Sequence, residues 1–393
     1  MKAFSALLLL MNEHVTMSEN LDFVNATHRR KIAVIVPSLK LGGMERIATM
    51  VANFYSTERD WEAYLVTLSP SEPFFLLHDG VKLVSITEDP KRKLPRKVDT
   101  LLKFRQILKT ISPDLAISFG SMYNSFVLLA LLGTNIPVFV SDRSNPYRNT
   151  RLRNYNSSLE RHDGIIHYVL RRVLYRFAAG ILAQTKLACK IEKGLSGNPK
   201  NVIYFPNPVE AGCKEVVTVR DKVILNVGRF IHTKNQAELV EIFSDLRPTG
   251  WRLCFLGDGP ELTAVKSFAE KLGVLDKIEF KGAVPDVRPY MEKAQIFAFT
   301  SLSEGFPNAL AEAMSNGLAC ISYDCVAGPA DLITDSVNGY LIPSGDRKSY
   351  IRKLKKLLND QSERLCFSQR ARESVKALSV DRVLGRLEKE IRP

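Results

Sequence analysis

The sequence predicts an α/β protein with two Rossmann-like, doubly wound domains that face each other across a cleft. Three observations support this fold class. Short apolar runs rich in β-branched residues alternate with amphipathic helical stretches. A proline-bounded break, Pro206-Asn207-Pro208, interrupts the alternation once, after which it restarts. The length of 393 residues suggests two or three domains rather than one.

The first half of the chain begins with a buried strand over residues 31–37, a glycine turn, and a helical stretch from Ile47 to about Tyr55. Further strands are predicted at 63–68, 83–86, 115–118, 138–141, 180–184 and 202–205, with helices near 97–111, 122–132 and 166–178. Strands separated by helices in this way favour a single parallel sheet with helices packed on its faces.

The second half repeats the pattern from residue 222. Its further strands are predicted at 252–256, 278–280, 296–300, 318–322 and 339–341, with helices near 234–246, 261–273, 286–293, 307–316 and 347–358. The predicted divisions are a disordered leader (1–30), an N-terminal domain (31–206), a linker (207–220), a C-terminal domain (221–380) and a final helix (381–393) that crosses back to the N-terminal domain. Parallel sheets bind ligands beyond the carboxyl ends of their strands, which places the expected site in the cleft.

Charge is distributed unevenly along the chain. Residues 1–200 contain 28 Lys and Arg against 17 Asp and Glu, so that half carries most of the net charge of +13. Such an excess favours contact with an anionic partner. The apolar run at 4–11 is far shorter than the roughly 20 residues that span a bilayer, so any membrane attachment is expected to be peripheral.

Two loops that follow strands carry groups suited to an anion. Gly42 and Gly43 stand between a strand and a helix, where backbone amides can approach a ligand closely, although a tight turn alone also explains them. In the second half, Arg229 and Lys234 lie five residues apart after a strand, a spacing that can reach two oxygens of one diphosphate. A solvated basic loop is the alternative explanation for this pair.

The segment 304–312 is the most informative. Glu304 precedes a predicted helix whose first turn holds Pro307, and Glu312 lies in the second turn of that helix. Loop amides between the two carboxylates can bind phosphate, and each carboxylate can accept hydrogen bonds from neighbouring hydroxyls of a sugar or a ribose. The alternative is a simple helix in which Glu304 caps the N-terminus. The loop at 324–331 follows the next strand on the same sheet edge.

Taken together and in this order, these segments resemble family 4 glycosyltransferases, which are retaining, nucleotide-sugar-dependent enzymes with the GT-B fold. The resemblance covers about residues 31–380. Its strongest element is Glu304 and Glu312 with Gly305-Phe306-Pro307-Asn308 between them, followed by Gly328-Pro329, Asn338-Gly339 and Asp346. Arg229 and Lys234, the turn Gly257-Asp258-Gly259-Pro260-Glu261, the loop Gly42-Gly43-Met44-Glu45-Arg46 and the hinge Asn207-Pro208-Val209 also match.

The resemblance implies a role for each matched residue. Arg229 and Lys234 would hold the donor diphosphate and stabilise the leaving group, Glu304 would position the transferred sugar, and Glu312 would bind the ribose. The implied donor site comprises Gly42, Gly43, Arg229, Lys234, Lys281, Gly282, Glu304, Gly305, Phe306, Pro307, Asn308, Ala309 and Glu312. No cofactor and no metal is required, because the nucleotide-sugar is a substrate and the chain holds no Asp-x-Asp.

One feature of the family pattern is missing. Many relatives place a histidine near the transferred sugar, but residues 119–124 contain none. His162 has an acidic neighbour, Asp163, yet a lone surface histidine is more often solvated than catalytic. No catalytic base is therefore assigned.

In this family the N-terminal domain holds the acceptor, and two basic segments of that half are candidates for membrane or acceptor contact. Their cationic residues are Lys91, Arg92, Lys93, Arg96, Lys97, Arg171, Arg172 and Arg176. Apolar residues interleave with them as in a basic amphipathic helix, although a core-packed helix with a solvated basic face gives the same pattern. The expected acceptor is a polyprenyl-diphosphate-linked saccharide, and the expected location is cytoplasmic, peripheral at the inner face of the cytoplasmic membrane.

The predicted function is retaining transfer of a hexose or N-acetylhexosamine, most simply from a UDP-sugar, to a lipid-linked or surface-polysaccharide saccharide. A nucleotide-sugar 2-epimerase of the same architecture is the alternative, which the two carboxylates with Arg229 and Lys234 disfavour. A nucleic-acid-binding protein is excluded as a serious candidate, because no recognition motif and no basic face with interleaved aromatics is present.

Overall fold

A computed structural model describes residues 29–40, 42–58, 61–86, 95–146, 165–195, 201–210, 212 and 220–391. These ranges leave out residues 1–28 of the predicted leader and residues 213–219 of the predicted linker. They also leave out the candidate residues Lys91, Arg92 and Lys93, and His162.

The N-terminal sheet has the strand order β3-β2-β1-β4-β5-β6-β7 among the described residues, and all its pairings are parallel. The strand order reverses between β1 and β4. Open α/β sheets bind ligands at such a switch point. The strands are β1 Arg30–Val36, β2 Trp61–Thr67, β3 Lys82–Ser85, β4 Leu115–Phe119, β5 Val138–Asp142, β6 Gly180–Ala183 and β7 Val202–Tyr204. The helices are α1 Gly43–Thr57, α2 Arg96–Ile111, α3 Ser121–Ala130, α4 Ile165–Leu174 and α5 Lys186–Leu195.

The C-terminal sheet has the order β10-β9-β8-β11-β12-β13 and is likewise parallel over the described residues. Its strands are β8 Asp221–Val227, β9 Arg252–Leu256, β10 Ile278–Phe280, β11 Ala294–Phe299, β12 Ala319–Asp324 and β13 Tyr340–Pro343. The helices are α6 Gln236–Leu246, α7 Leu262–Lys271, α8 Arg288–Lys293, α9 Asn308–Ser315, α10 Pro329–Leu332, α11 Arg347–Asn359, α12 Gln361–Val375 and α13 Val380–Ile391. The predicted fold class of two doubly wound sheets is confirmed.

Helix α13 ties the end of the chain to the N-terminal sheet. Its apolar residues Leu384 and Leu387 are buried in the same core cluster as Tyr55 of α1. The Trp61 indole donates to the Glu388 carboxylate at 3.1 Å across this contact. One apolar cluster thus contains residues of both domains.

Candidate functional site

The carboxyl ends of β8, β9 and β10 are joined by backbone hydrogen bonds. Gly228 N donates to Leu256 O at 2.9 Å, and Gly257 N donates to Gly282 O at 2.7 Å. Gly257 has a φ of +136°, and a Cβ there would lie 2.0 Å from Gly228 O, so only glycine fits. The loops with the predicted diphosphate pair and the predicted base contacts therefore form one surface.

Lys234 and Arg229 occupy different environments on this surface. Lys234 lies in a short 3₁₀ turn and its Nζ is 2.5 Å from Glu304 Oε1. Arg229 is exposed. Burial raises the pKa of Glu45 in α1, and the positive charge of Arg229 opposes that shift. Lys281 is exposed and pairs with Glu279 at 2.8 Å.

Glu304 is buried in the loop between β11 and α9. Its backbone amide donates to Val326 O at 3.2 Å, so the loop after β12 supports it. Helix α9 begins at Asn308 with Pro307 as its N-cap, and no side chain caps it. The alternative in which Glu304 is a helix cap is therefore wrong, since its carboxylate is directed to Lys234.

The loop amides between the two carboxylates are not all free for a ligand. Asn308 N donates to Phe306 O at 2.9 Å within the turn. This amide belongs to the set expected to bind phosphate, and here it is engaged within its own turn. Phe306 and Pro307 are themselves buried, which anchors the loop in the core.

Glu312 lies one turn into α9 and is only partly accessible, with 15% of its side chain exposed. Arg46 of α1 donates a hydrogen bond to its Oε1. Burial raises the pKa of Glu312 and the Arg46 charge opposes that shift. Both predicted donor-binding carboxylates are therefore paired with cations of the chain itself.

The first glycine loop lies against the start of α9. A Cβ built on Gly43 would be 3.2 Å from Asn308 Nδ2. The hinge residue Asn207 donates from Nδ2 to Asn308 Oδ1 at 2.7 Å. Gly43, the hinge and the N-terminus of α9 thus converge.

The opposite wall of the cleft comes from the ends of β5 and β6, which the sequence-based site did not include. Asn145 Nδ2 donates to Ser303 Oγ at 2.7 Å. A Cβ on Gly305 would lie 2.7 Å from both Arg143 O and Gln184 Nε2. The signal that could have found these residues is their position directly after the predicted strands 138–141 and 180–184.

We expect Gly305→Ala to lower kcat by about 10- to 100-fold while the protein stays folded, because the added methyl group separates the two walls where they touch. A displacement of about 1 Å can cost about 100-fold in rate. Steady-state kinetics together with a melting curve test this. Gly194→Ala is the matched control, since a Cβ there meets no described residue within 4 Å. Equal kinetics for both variants would contradict the expectation.

Comparison with known proteins identifies the family. Residues 41–211 match the description Glycosyltransferase Family 4, and residues 214–374 match Glycosyl transferases group 1. The chain is a group 1, family 4 glycosyltransferase.

One curated relative matches nearly the whole chain, and another matches less than half of it. This glycosyltransferase is 25% identical to the N-acetylgalactosamine-N,N'-diacetylbacillosaminyl-diphospho-undecaprenol 4-alpha-N-acetylgalactosaminyltransferase of Campylobacter jejuni, over 88% of this chain and 95% of that protein. It is 33% identical to the lipopolysaccharide 1,6-galactosyltransferase of Escherichia coli K12, over 43% of this chain and 48% of that protein.

Solved structures agree on the fold. The apo form of the lipopolysaccharide outer core galactosyltransferase WaaB superimposes with a TM-score of 0.70 at 21% identity, covering 92% of this chain and 99% of WaaB. Anabaena Alr3699/HepE in complex with UDP and glucose gives 0.74 at 16% identity, with 92% and 99% coverage. The GT-B architecture predicted from the sequence is confirmed.

The prediction that Arg171 contacts a membrane or the acceptor is wrong. Arg171 is 3% exposed. Its guanidinium pairs with Asp142 at 3.0 Å and with Glu192. Arg172 and Arg176, which follow it in α4 and the next turn, are exposed.

The basic helix α2 follows the core-packed alternative. Its apolar residues Leu101, Phe104 and Leu108 are buried in the N-terminal core. Arg96 and Lys97, at its start, are exposed. This helix therefore presents a basic surface but no apolar face to a membrane.

Over the described parts of the chain, no cluster of three His, Cys, Asp or Glu residues could hold a metal ion. Within the same ranges, no helix is both long and apolar enough to cross a membrane.

Proposed function

We propose that this glycosyltransferase moves a hexose or N-acetylhexosamine, with retention of configuration, from a UDP-sugar to a saccharide linked to a polyprenyl diphosphate. The observation that carries the proposal is the convergence of Lys234, Glu304 and Glu312 at one edge of the C-terminal sheet, facing the N-terminal domain. The named activities of the relatives, which include transfer to an undecaprenol-linked saccharide and to lipopolysaccharide, support the acceptor class.

The proposed division of tasks follows the charges. Arg229 and Lys234 bind the diphosphate and stabilise the charge that develops on the leaving group. Glu304 positions the transferred sugar, and Glu312 accepts hydrogen bonds from the ribose. Binding of the donor then exchanges the internal pairs, Lys234 with Glu304 and Arg46 with Glu312, for contacts to the nucleotide-sugar.

The test is a transfer assay with a UDP-sugar and a polyprenyl-diphosphate-linked acceptor, read by mass spectrometry. Formation of the extended lipid-linked saccharide, with UDP released, is expected. A parallel reaction with donor alone is the control. Formation of an epimer without acceptor would instead support the 2-epimerase and overturn the proposal.

We further propose that α4 docks on an anionic membrane surface. Val169, Leu170, Val173 and Phe177 are exposed large apolar residues along this helix and the turn after it. Apolar side chains flanked by arginines are typical of helices that lie in the membrane interface. The exposed Arg172 and Arg176 supply the charge, which complements anionic lipid.

Replacing both cations, Arg172→Gln with Arg176→Gln, is expected to weaken binding to phosphatidylserine-containing vesicles by about 30-fold at low salt, from roughly 1 kcal/mol per basic residue. Vesicle sedimentation measures this, and the difference should shrink as salt is raised. The double variant Arg382→Gln with Arg386→Gln is the control, because both are exposed on α13. Wild-type binding by the α4 variant would contradict the membrane contact.

A further inference from the structure

Arg143 follows β5 and is held on three sides within the cleft wall. Its guanidinium lies 5.3 Å from the ring centroid of Phe119 and 4.6 Å from that of Phe205. Along one edge, Nη1 donates to Phe205 O at 3.3 Å and to Asn207 Oδ1 at 2.5 Å. Only the Nε–Nη2 edge of the guanidinium takes no part in these ring and hinge contacts.

That remaining edge has no partner among the described residues. Nε and Nη2 of Arg143 are both buried and make no hydrogen bond in the described part of the protein. Burial lowers the pKa of Arg143 to about 9, so the group is still charged at neutral pH. A buried cation without an anion is costly, and the Nε–Nη2 edge has the fork geometry that matches carboxylate and phosphate.

The position of Arg143 connects it with the proposed donor site. Its carbonyl is the group that a Cβ on Gly305 would strike. Asn207, which accepts from its Nη1, donates in turn to Asn308 at the start of α9. The guanidinium is therefore fixed with respect to the loop that carries Glu304.

Unlike Arg143, two other cations of this cleft are already paired with carboxylates. Lys234 contacts Glu304 and Arg46 contacts Glu312, so each already faces a carboxylate. Asp142, next to Arg143 in the chain, is engaged by Arg171 instead. An anionic ligand would therefore stabilise Arg143 more than Lys234 or Arg46.

We propose that the Nε–Nη2 edge of Arg143 binds a phosphate group of the substrates. This inference rests on the proposed function, in which both the donor and the acceptor contain a diphosphate. Because both nitrogens are closed to solvent here, the proposal requires the cleft to open before a phosphate can reach them. The phosphate belongs to the nucleotide-sugar or to the acceptor, and the test separates these sources.

The test compares Arg143→Gln with wild-type protein in three measurements on the full chain: affinity for inorganic pyrophosphate, affinity for UDP, and KM for the acceptor in transfer. Pyrophosphate binding is expected to weaken by at least 10-fold. Weaker UDP binding assigns the phosphate to the donor, and unchanged UDP binding with a raised acceptor KM assigns it to the acceptor. Arg382→Gln, an exposed arginine of α13, is the control.

Two further variants separate binding from folding and from hinge support. Arg143→Lys keeps the charge but loses the fork, and is expected to recover less than half of the lost binding energy; it decides the question if Arg143→Gln does not fold. Asn207→Ala removes the partner of Nη1 and leaves the free edge intact. Equal losses in Asn207→Ala and Arg143→Gln would overturn the proposal in favour of a hinge role.

The proposal is also overturned if Arg143→Gln is folded and retains pyrophosphate affinity, UDP affinity and acceptor KM within twofold of wild type. If the wild-type protein nevertheless binds UDP and transfers sugar, the proposed function stands. Wild-type protein that does neither refutes the proposed function itself, so the two failures are distinguishable.

Discussion

Glu304→Ala is expected to reduce sugar transfer by at least about 100-fold, since loss of one preorganised group that acts at the reacting centre typically costs about 100- to 1000-fold in kcat. The carboxylate is buried beside Lys234, so its loss removes both the proposed sugar contact and the partner of the lysine. Transfer kinetics at saturating donor and acceptor measure the effect on kcat.

The fold should survive this substitution, because 22% of the Lys234 side chain is exposed and its charge can reach water. A melting curve checks this point. Glu390→Ala, at an exposed position of α13, is the control and should behave as wild type. Near-normal turnover by a folded Glu304→Ala protein would refute the assignment of the sugar-binding residue.

The second large effect concerns stability. Arg171→Met is expected to destabilise the N-terminal domain by about 3–5 kcal/mol, because it leaves Asp142 and Glu192 as buried carboxylates without their cation. For a domain of this size, the melting temperature should fall by on the order of 10 °C. Arg172→Met is the matched control, since the neighbouring arginine is exposed and should change stability little.

The destabilisation should depend on pH. Burial raises the pKa of Glu192 to about 7, and the Arg171 charge opposes that shift. Without Arg171 the folded-state pKa rises further above that of the unfolded chain, so the folded state binds an extra proton between the two values. Stability of the variant therefore falls as pH rises through that window, and the deficit should be smaller at pH 5 than at pH 8. A deficit independent of pH would contradict this account of the buried triad.

The strands and most helices could be predicted because their apolar periodicity is local. The sheet edge that carries Glu304 and Lys234 followed from the same pattern, since loops after successive parallel strands meet at one edge. Helix α12 was not predicted: its buried residues Phe367, Ala371 and Val375 form only a narrow stripe among charged residues, and Arg364 is buried with them.

Partners distant in the chain could not be predicted. The sequence around Arg171 is that of a basic amphipathic helix, and nothing local indicates that Asp142 and Glu192 surround that one arginine. Arg143 was missed for the same reason. Its site is made by Phe119 and Phe205, which come from two other strand ends of the sheet. Burial of charge is a tertiary property that spacing alone does not encode.

The central claim is that the C-terminal edge with Lys234 and Glu304 binds a nucleotide-sugar. The most direct measurement is the melting temperature of wild type and Lys234→Gln with UDP-, GDP- and ADP-sugars in turn. A ligand at 100 times its Kd that binds only the folded state adds about 2.7 kcal/mol of stability. We predict that a UDP-sugar raises the wild-type melting temperature by several degrees and that Lys234→Gln loses most of this rise. No stabilisation by any of the nucleotide-sugars, or equal stabilisation of both proteins, would contradict the claim.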